Sequence, residues 1–516
     1  MSYRIGIDVG GTNTDAVILD ENLMPVAKAK TPTTADVTGG IYRAMSLVLQ
    51  QGAVDTSKIK YAMLGTTHCT NAVVERKRLN QVAVIRIGLP ATGAIKPLTG
   101  WPQDIKEAIG NRQYLVGGGH EFDGREIAPL DEQRLREIAR EIKGKVDSVA
   151  ITAVFAPVTN DHEVRAAAII REELGDIPVS LSHEIGSIGL LERENATVLN
   201  ASLVDVARTT AESFIAALER EGIKAKVYFG QNDGTLMAVE YAMRYPILTI
   251  ACGPTNSIRG ASFLAKQRNA LVVDVGGTTT DVGVLVNGFP RESSVAVEIG
   301  GVRTNFRMPD LISIGLGGGT IVRSGDKGIT IGPDSVGYRI TREALVFGGD
   351  TLTTSDVVTA LGKANIGDPE KVKHLAQQTL DHAYKQIIDM AEDVIDRMKT
   401  SAEPMPVILV GGGSIILPDE LAGASEVIRP EHFDVANAIG AAIAQVSGQI
   451  ERIFSIDELG REGALKMAKE LAVEEAVKAG ADPASIEIVE IEDVPLAYLP
   501  GNATKIRVKA AGSLLV

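Results

Sequence analysis

Several features are scarce in this sequence, and each scarcity excludes a class of protein. Two cysteines among 516 residues cannot form a disulfide framework and suit a reducing compartment. Acidic residues outnumber basic ones by 66 to 52, and the formal net charge of -14 argues against nucleic acid or an anionic membrane as a partner. No apolar run approaches the roughly 20 residues that span a bilayer, and the first residues lack a basic and then apolar leader. We therefore expect a cytoplasmic protein.

Common nucleotide and metal motifs are also missing. The sequence has no G-x-x-x-x-G-K-[ST] string, which excludes a P-loop enzyme, and no G-x-G-x-x-G string leading from a strand into a helix, which removes the main support for a Rossmann fold. Its seven histidines show neither H-E-x-x-H nor paired-cysteine spacing. A zinc site built by the protein alone is therefore not expected.

Length and hydrophobic pattern indicate a large α/β protein. The chain is long enough for about three domains of roughly 150 residues each. Residues 4–9, 15–19 and 25–30 are predicted as strands, followed by alternating helices and strands, and this order predicts a mixed sheet covered by helices. A helix predicted over 188–221 has a length suited to connecting two halves, and a second long helix is predicted over 370–399.

One short string occurs twice. Asp8-Val-Gly-Gly-Thr-Asn-Thr-Asp15 returns as Asp274-Val-Gly-Gly-Thr-Thr-Thr-Asp281, in both cases where an apolar strand turns into the next. A match of this length at the same strand-turn-strand position indicates an internal duplication.

Each copy has the chemistry of a phosphate-binding turn. Two glycines let backbone amides approach an anion, and threonine hydroxyls add hydrogen-bond donors without charge. The strand-end aspartates, Asp8 and Asp274, can hold Mg²⁺ through its water shell or orient an attacking water. Two such hairpins facing each other would grip a triphosphate from both sides. The predicted phosphate ligands are Gly10, Gly11, Thr12, Asn13 and Thr14 in the first copy and Gly276, Gly277, Thr278 and Thr279 in the second.

Two further glycine clusters are candidates for the same site. An apolar strand from residue 407 ends in Gly411, Gly412 and Gly413, which would let a flat base and its ribose approach the backbone. Gly317 and Gly318 follow a predicted core strand, and we expect them to line the cleft, although they could simply turn the chain.

The order of these features resembles the actin, Hsp70 and sugar kinase superfamily of ATPases. Longer strings resemble the hydantoinase A and 5-oxoprolinase family over about residues 4–448. These strings are I-G-I-D-V-G-G-T-N-T-D from residue 5, L-G-T-T-H-C-T-N-A-V-V-E-R from residue 64, S-H-E from residue 182, E-R-E-N-A-T-V-L-N from residue 192, G-P at residue 253 after an apolar strand, and the second hairpin.

The resemblance implies a fold and a division of the chain. The expected fold is α/β, with two duplicated actin-like (ribonuclease H-like) ATPase lobes around an ATP cleft and a small C-terminal α+β appendage. The expected domains are residues 1–190 for the first lobe, 191–449 for the second lobe with its connecting helices, and 450–516 for the appendage.

The resemblance also implies an activity. Relatives open a cyclic amide such as a hydantoin, 5-oxoproline or another lactam at the expense of ATP, with a B-type partner subunit that completes hydrolysis. Carried over to this chain, Asp8 and Asp274 become the catalytic and Mg²⁺-binding carboxylates, and the three glycine-rich segments become the ATP contacts. The resemblance also allows this chain to form a homo-oligomer.

The expected substrate position lies at the end of a first-lobe strand. Thr66, Thr67 and Asn71 are predicted to line it, and His68 is a candidate donor to a substrate carbonyl, with a structural histidine as the alternative. The chain lacks the G-x-x-P-G-P-x-C-Y-G string that many family members carry after the glycine cluster, a departure that concerns the substrate more than the ATP chemistry.

Two other functions fit the same fold. A small-molecule kinase would release a stable phosphorylated product. An ATP-gated assembly or regulatory protein would move without substrate chemistry.

Overall fold

The structure is a computed structural model that describes residues 2–33, 37–186, 188–293, 297–325, 328–497 and 500–514. Within these ranges the chain alternates strands and helices. The strands are β1 Tyr3–Val9, β2 Asn13–Leu19, β3 Pro25–Pro32, β4 Ile59–Thr66, β5 Val82–Leu89, β6 Arg112–Gly117, β7 Ser148–Ala153, β8 Val179–Leu181, β9 Lys226–Gly230, β10 Leu236–Ala238, β11 Ala270–Val275, β12 Thr280–Val286, β13 Phe289–Pro290, β14 Val297–Ile299, β15 Val302–Thr304, β16 Leu311–Ile314, β17 Thr320–Gly325, β18 Gly328–Ser335, β19 Met405–Val410, β20 Ala424–Ile428, β21 Val446–Phe454, β22 Glu487–Pro495 and β23 Thr504–Gly512.

The α-helices cover the faces of the sheets that these strands form. They are α1 Val37–Gly52, α2 His68–Glu75, α3 Gln103–Ala108, α4 Glu132–Ile142, α5 Asp161–Leu174, α6 Leu190–Ser202, α7 Val204–Arg220, α8 Val239–Arg244, α9 Cys252–Ala265, α10 Ile340–Glu343, α11 Thr354–Ala360, α12 Gln377–Met398, α13 Ala436–Ile443 and α14 Ile456–Lys478. Among the described residues, none of these helices has both the length and the apolar character needed to cross a bilayer.

Two sheets repeat the same central arrangement. In the first, β1 is antiparallel to β2 and parallel to β4, and in the second, β11 is antiparallel to β12 and parallel to β19. The full strand orders are β22-β23-β21-β10-β9-β4-β1-β2-β3 for the first sheet and β13-β12-β11-β19-β20, with β16 on β12, for the second. The strands β1 and β11 are buried on both faces, as expected for central strands covered by helices. The duplicated string therefore marks a duplicated fold.

The strands of a third sheet, β5 to β8, come between β4 and β9 in the sequence. Its order is β6-β5-β7-β8 and its strands are all parallel. The helices α4 and α5 pack on one face, through an apolar core that includes Ile138 and Ile170. The other face packs against α6.

The first sheet is covered by α13 and the second by α9, and these two helices pack against each other. A Cβ added to Gly260 would lie 1.9 Å from the carbonyl oxygen of Ala436, and one added to Gly440 would lie 1.8 Å from that of Asn256. Only glycine permits such an approach, because real Cβ atoms do not come this close to backbone. The two helices are thus in direct backbone contact.

The C-terminal segment extends the first sheet. The strand β21 pairs with β10, β23 pairs with β21, and α14 covers them with a stripe of buried alanines, Ala464, Ala468, Ala472 and Ala476. The predicted boundary between residues 449 and 450 falls inside β21.

Several predicted elements differ from the structure. The helix predicted over 188–221 is two helices that break at Leu203, because α6 packs on the third sheet whereas α7 packs on α1. The helix predicted from residue 370 begins at Gln377, after a 3-10 turn that buries Val372. The segment before Gly253 is a 3-10 turn, Pro246–Thr249, rather than a strand.

Alanine substitutions test the contact between α9 and α13. Gly260→Ala and Gly440→Ala should each lower the free energy of unfolding by about 1–3 kcal/mol, since the added methyl forces the helices apart. The measurement is urea unfolding followed by circular dichroism. Gly463→Ala on the exposed face of α14 is the matched control and should stabilise by about 0.5–1 kcal/mol through higher helix propensity. Equal small effects at all three positions would contradict the close contact.

Candidate active site

The first hairpin holds its turn by a local hydrogen bond. Strand β1 ends in Asp8 and Val9, and the amide of Gly10 donates to the carbonyl of Asn13 at 3.0 Å. Across the hairpin, Asp8 faces Asp15. The side chain of Asp8 is 3% exposed.

The second hairpin repeats this geometry. The amide of Gly276 donates to the carbonyl of Thr279 at 2.9 Å, and Asp274 faces Asp281 across the strands. Asp274 is more accessible than Asp8 and lies in the intermediate range of exposure. The identical local sequence therefore produces the same turn twice.

The two turns face each other across the cleft. The hydroxyl oxygens of Thr12 and Thr278 lie 3.3 Å apart. The turn amides of Gly10 and Gly276 are used to close the hairpins. In the two turns and the 411–413 segment, the amides of Gly11, Thr12, Gly277, Thr278, Thr279 and Gly412 donate to no group among the described residues. Free backbone N–H groups of successive turn residues are donors suited to an anion.

The other glycines surround the second hairpin. The amides of Gly318 and Gly413 donate to the carbonyls of Gly276 at 3.0 Å and Val275 at 2.8 Å. A Cβ on Gly317 would lie 2.7 Å from the amide nitrogen of Thr278, and one on Gly411 would lie 2.2 Å from Oδ1 of Asp274. Close approach to the hairpin thus accounts for Gly317, Gly411 and Gly413, whereas the amide of Gly412 has no acceptor among the described residues.

Asp8 is held by two asparagines that sequence reasoning did not identify. Asn256 of α9 donates from Nδ2 to Oδ1 of Asp8 at 3.2 Å, and Asn437 of α13 donates from Nδ2 to Oδ2 at 3.0 Å. Asn437 also donates to Asp15 at 2.9 Å. The sequence contains one signal that could have identified Asn437, since it is the single polar side chain in the otherwise apolar helix A-N-A-I-G-A-A-I.

Consecutive residues of α9 reach the two lobes. Asn256 donates to Asp8, and Ser257 lies near Asp274 and lowers the pKa of that carboxyl against the larger, raising effect of burial. The pKa of Asp8 is raised to about 6, mainly by burial; the charges of Asp15 and Asp274 act in the same direction, and the two asparagine donors oppose the shift. Burial also raises the pKa of Asp274. The cleft floor is therefore a group of carboxylates whose negative charge is only partly compensated.

The predicted substrate residues lie beside Asp8. Strand β4 runs parallel to β1, with Gly65 beside Asp8 and Thr66 beside Val9. Thr67 donates its hydroxyl hydrogen to the carbonyl of Val9 at 3.1 Å and accepts from Nδ2 of Asn71 at 3.3 Å. These side chains therefore lie at the strand end that carries the first phosphate turn.

His68 is neutral in this environment. Burial lowers its pKa to about 4, and Nδ1 lies 2.5 Å from the hydroxyl oxygen of Thr66. Nδ1 thus has a structural partner, whereas Nε2 has no hydrogen-bond partner among the described residues.

The chain matches a known family over most of its length. The family described as Hydantoinase/oxoprolinase N-terminal region matches residues 4–174, and Hydantoinase/oxoprolinase matches residues 193–450. The first match contains Asp8 and the β4 strand end, and the second contains Asp274, Asn256 and Asn437.

Two curated proteins illustrate the range of relatives. An uncharacterised protein of Methanocaldococcus jannaschii is 28% identical over 96% of this chain and 80% of its own length. Caprolactamase subunit alpha of Pseudomonas jessenii is 27% identical over 70% of this chain and 54% of its own length. The chain thus matches about half the length of the caprolactamase subunit.

Two solved structures share the fold. ATP-dependent caprolactamase from Pseudomonas jessenii has a TM-score of 0.77 at 20% identity, covering 99% of this chain and 88% of that one. A nucleotide-free acetone carboxylase has a TM-score of 0.71 at 18% identity, with the same two coverages of 99% and 88%. These likenesses, with the duplicated sheets, confirm the predicted two-lobed actin-like fold. On the matched segments and the paired hairpins within them, the chain belongs to the hydantoinase/oxoprolinase family.

Proposed function

We propose that this protein is the ATP-using subunit of an enzyme that phosphorylates and so activates a cyclic amide, a hydantoin, 5-oxoproline or related lactam, for ring opening. The observation that carries the proposal is the pair of opposed hairpins, whose threonine hydroxyls lie 3.3 Å apart and whose outward amides have no acceptor among the described residues. Their anion-binding chemistry suits a triphosphate. The proposal includes ATP and Mg²⁺ as the bound groups and the cytoplasm as the location.

The carboxylates at the two strand ends suit Mg²⁺ beside that triphosphate. Asp8 and Asp274 offer oxygen donors, which Mg²⁺ prefers, and the raised pKa of Asp8 shows that negative charge there is under-compensated. When bound, the ion would neutralise phosphate charge during transfer. Asn256 and Asn437 hold Asp8 in one orientation toward the cleft.

The cyclic amide is placed at the end of β4. Nδ2 of Asn71 donates a hydrogen bond to the hydroxyl of Thr67. Its Oδ1 has no donor among the described residues and can accept a hydrogen bond from the N–H of a lactam ring. Neutral His68 can donate from Nε2 to the ring carbonyl when Nδ1 accepts the Thr66 hydroxyl hydrogen.

The proposed transfer balances without a redox partner. The lactam oxygen attacks the γ-phosphorus, an O–P bond forms, the bond from that phosphorus to the β,γ-bridging oxygen breaks, and ADP leaves. Positioning and charge neutralisation supply most of the rate in such a transfer. The phosphorylated amide carbon then accepts water more readily. A B-type partner is proposed for that step, which is supported by the naming of caprolactamase subunit alpha as one subunit.

The decisive experiment identifies the product. ATP and a panel of hydantoins and lactams are incubated with the purified chain, with and without a B-type subunit, and products are followed by mass spectrometry. Substrate-stimulated ADP release with a ring-opened product supports the proposal. A stable phosphorylated metabolite would instead identify a kinase. ATP turnover that ignores every cyclic amide, together with nucleotide-dependent assembly, would identify a regulatory protein.

Removing either strand-end carboxylate should stop ATP turnover. Asp8→Asn and Asp274→Asn are each expected to lower kcat by at least about 100-fold, as loss of a preorganised charge contact does in other sites. Coupled-enzyme detection of ADP measures the rate, and circular dichroism checks the fold. Asp381→Asn on the exposed face of α12 is the matched control. Full turnover in both cleft variants would reject the two-hairpin site.

Asn437 should set the pH dependence of turnover. Since Mg²⁺ binding requires ionised Asp8, whose pKa in the metal-free cleft is raised to about 6, kcat/KM for MgATP should fall as pH drops through that value. Asn437→Ala removes a donor that favours the ionised form, so the acid limb should move to higher pH. Asn269→Ala, at an exposed position, should leave the profile unchanged. An unshifted acid limb in Asn437→Ala would show that Asp8 does not control the rate.

Asn71→Ala should mainly affect the cyclic amide. Loss of the predicted ring contact is expected to raise KM for the amide by about tenfold, in line with one hydrogen bond, while amide-independent ATP turnover persists. Steady-state kinetics with each substrate varied in turn measure this. Unchanged KM and kcat for the amide would place the substrate elsewhere.

A further inference from the structure

A group of nitrogen and oxygen ligands lies away from the cleft, at the edge of the third sheet. The chain passes from β5 to its neighbour β6 and then crosses to β7, which lies on the opposite side of β5. The direction in which strands are added to the sheet therefore reverses at β5. Ligands in open parallel α/β sheets bind beyond the carboxyl ends of the strands at such a reversal. His120 lies in this position, with its amide donating to the carbonyl of Val154 after β7 at 3.2 Å.

Three chemistry-bearing side chains meet at this edge. His120 follows β6, Glu126 faces it across an isolated antiparallel bridge, and His162 is the second residue of α5. One ring nitrogen of each histidine and one carboxylate oxygen of Glu126 all lie within 4.8 Å of one another. The imidazole rings are 4.4 Å apart between centroids.

Their hydrogen bonds leave one buried atom unsatisfied. Nε2 of His120 lies 3.2 Å from Oδ1 of Asp161, whereas Nδ1 of His120 is buried without a hydrogen-bond partner. Nε2 of His162 lies 3.1 Å from Oε1 of Glu126. A buried polar atom without a partner is costly, typically by about 1–3 kcal/mol, and a bound ligand at Nδ1 would remove that cost.

The exposure of these residues describes a site with one open side. His120 is 1% exposed and His162 is 5% exposed, whereas the side chains of Glu126 and Asp161 are 51% and 63% exposed. The imidazoles therefore form the floor, and the carboxylates form the rim. A small cation could enter from solvent and meet both kinds of donor.

We propose that His120, His162 and Glu126 bind a first-row divalent metal ion, with Zn²⁺ as the best chemical match. Two imidazole nitrogens and one carboxylate oxygen are a donor set that Zn²⁺ favours, whereas Mg²⁺ prefers oxygen alone. Asp161, whose carboxylate lies beside Nε2 of His120, orients that ring, as outer carboxylates do for ligating histidines. The open side leaves a coordination position for water.

Binding requires small local changes that the chain permits. Tetrahedral Zn²⁺ with bonds of about 2.0–2.1 Å places its ligands roughly 3.3 Å apart, and the exposed Glu126 side chain can close the remaining distance. For His162 to ligate through Nε2, its proton must move to Nδ1, which now accepts the amide hydrogen of Gly119 at 3.0 Å. Turning the peptide between Gly118 and Gly119 would present a carbonyl instead. Both glycines have positive φ, 135° and 93°, and glycine tolerates such a rotation.

Metal titration of the full chain tests this proposal. Protein treated with a chelator is titrated with Zn²⁺ against a chromophoric competitor, in excess Mg²⁺ so that oxygen-only sites in the cleft are occupied. One equivalent should bind tightly. Because even outer-shell partners are typically worth about 10- to 100-fold in metal affinity, Glu126→Gln should weaken binding by at least about tenfold. His120→Asn and His162→Asn should do the same.

Matched variants make the result specific. Glu121→Gln lies on the same exposed turn and should bind Zn²⁺ like the wild type, as should His432→Asn in the second lobe. Co²⁺ in the wild type should show the visible absorption of a four- or five-coordinate site, and Glu126→Gln should lose it. Wild-type affinity no greater than that of Glu126→Gln would overturn the proposal, and so would tight binding retained in both Glu126→Gln and His120→Asn. Glu126 is exposed, so its variant decides the question even if a histidine variant misfolds.

Discussion

The direct backbone contact between α9 and α13 is the constraint on which the cleft depends. Gly260 and Gly440 let the two helices approach until carbonyl oxygens occupy the space of a side chain. This approach brings Asn256 and Asn437 from different helices onto the same carboxylate, Asp8. Larger residues at the glycines would separate the helices and withdraw at least one amide. The geometry of the candidate active site is therefore set by packing at the junction of the lobes.

The same helix also links the charges of the two lobes. Asn256 and Ser257 are neighbours on α9, and they contact Asp8 in the first lobe and Asp274 in the second. The positions of both carboxylates therefore depend on the position of the single helix α9.

Buried charge outside the cleft joins the C-terminal strands to both lobes. Arg507 of β23 is 2.6 Å from Glu292, and Lys509 is 2.7 Å from Asp233, with all four side chains buried. Removing one partner of such a buried ion pair strongly destabilises the folded protein, because the other charge stays buried without compensation. The segment predicted as an appendage therefore completes the first sheet and also contacts the second lobe near Glu292.

The two hairpins could be predicted from sequence because their turns are local. Two glycines, a threonine and a strand-end aspartate determine the backbone over a few residues, so the same string yields the same turn wherever it occurs. Other local patterns were less reliable. The apolar stretch around Leu203 reads as one helix, but α6 and α7 pack on different surfaces and the chain breaks between them.

What the sequence by itself determined was the duplication, the two matching glycine-threonine hairpins and the family. Only the tertiary structure brought Asn437 to Asp8, placed β21 beside β10, and set His120 against His162. These pairs are far apart along the chain, and no local propensity encodes their meeting. They depend on how sheets and helices pack, which is decided by the summed burial of many side chains rather than by any one motif.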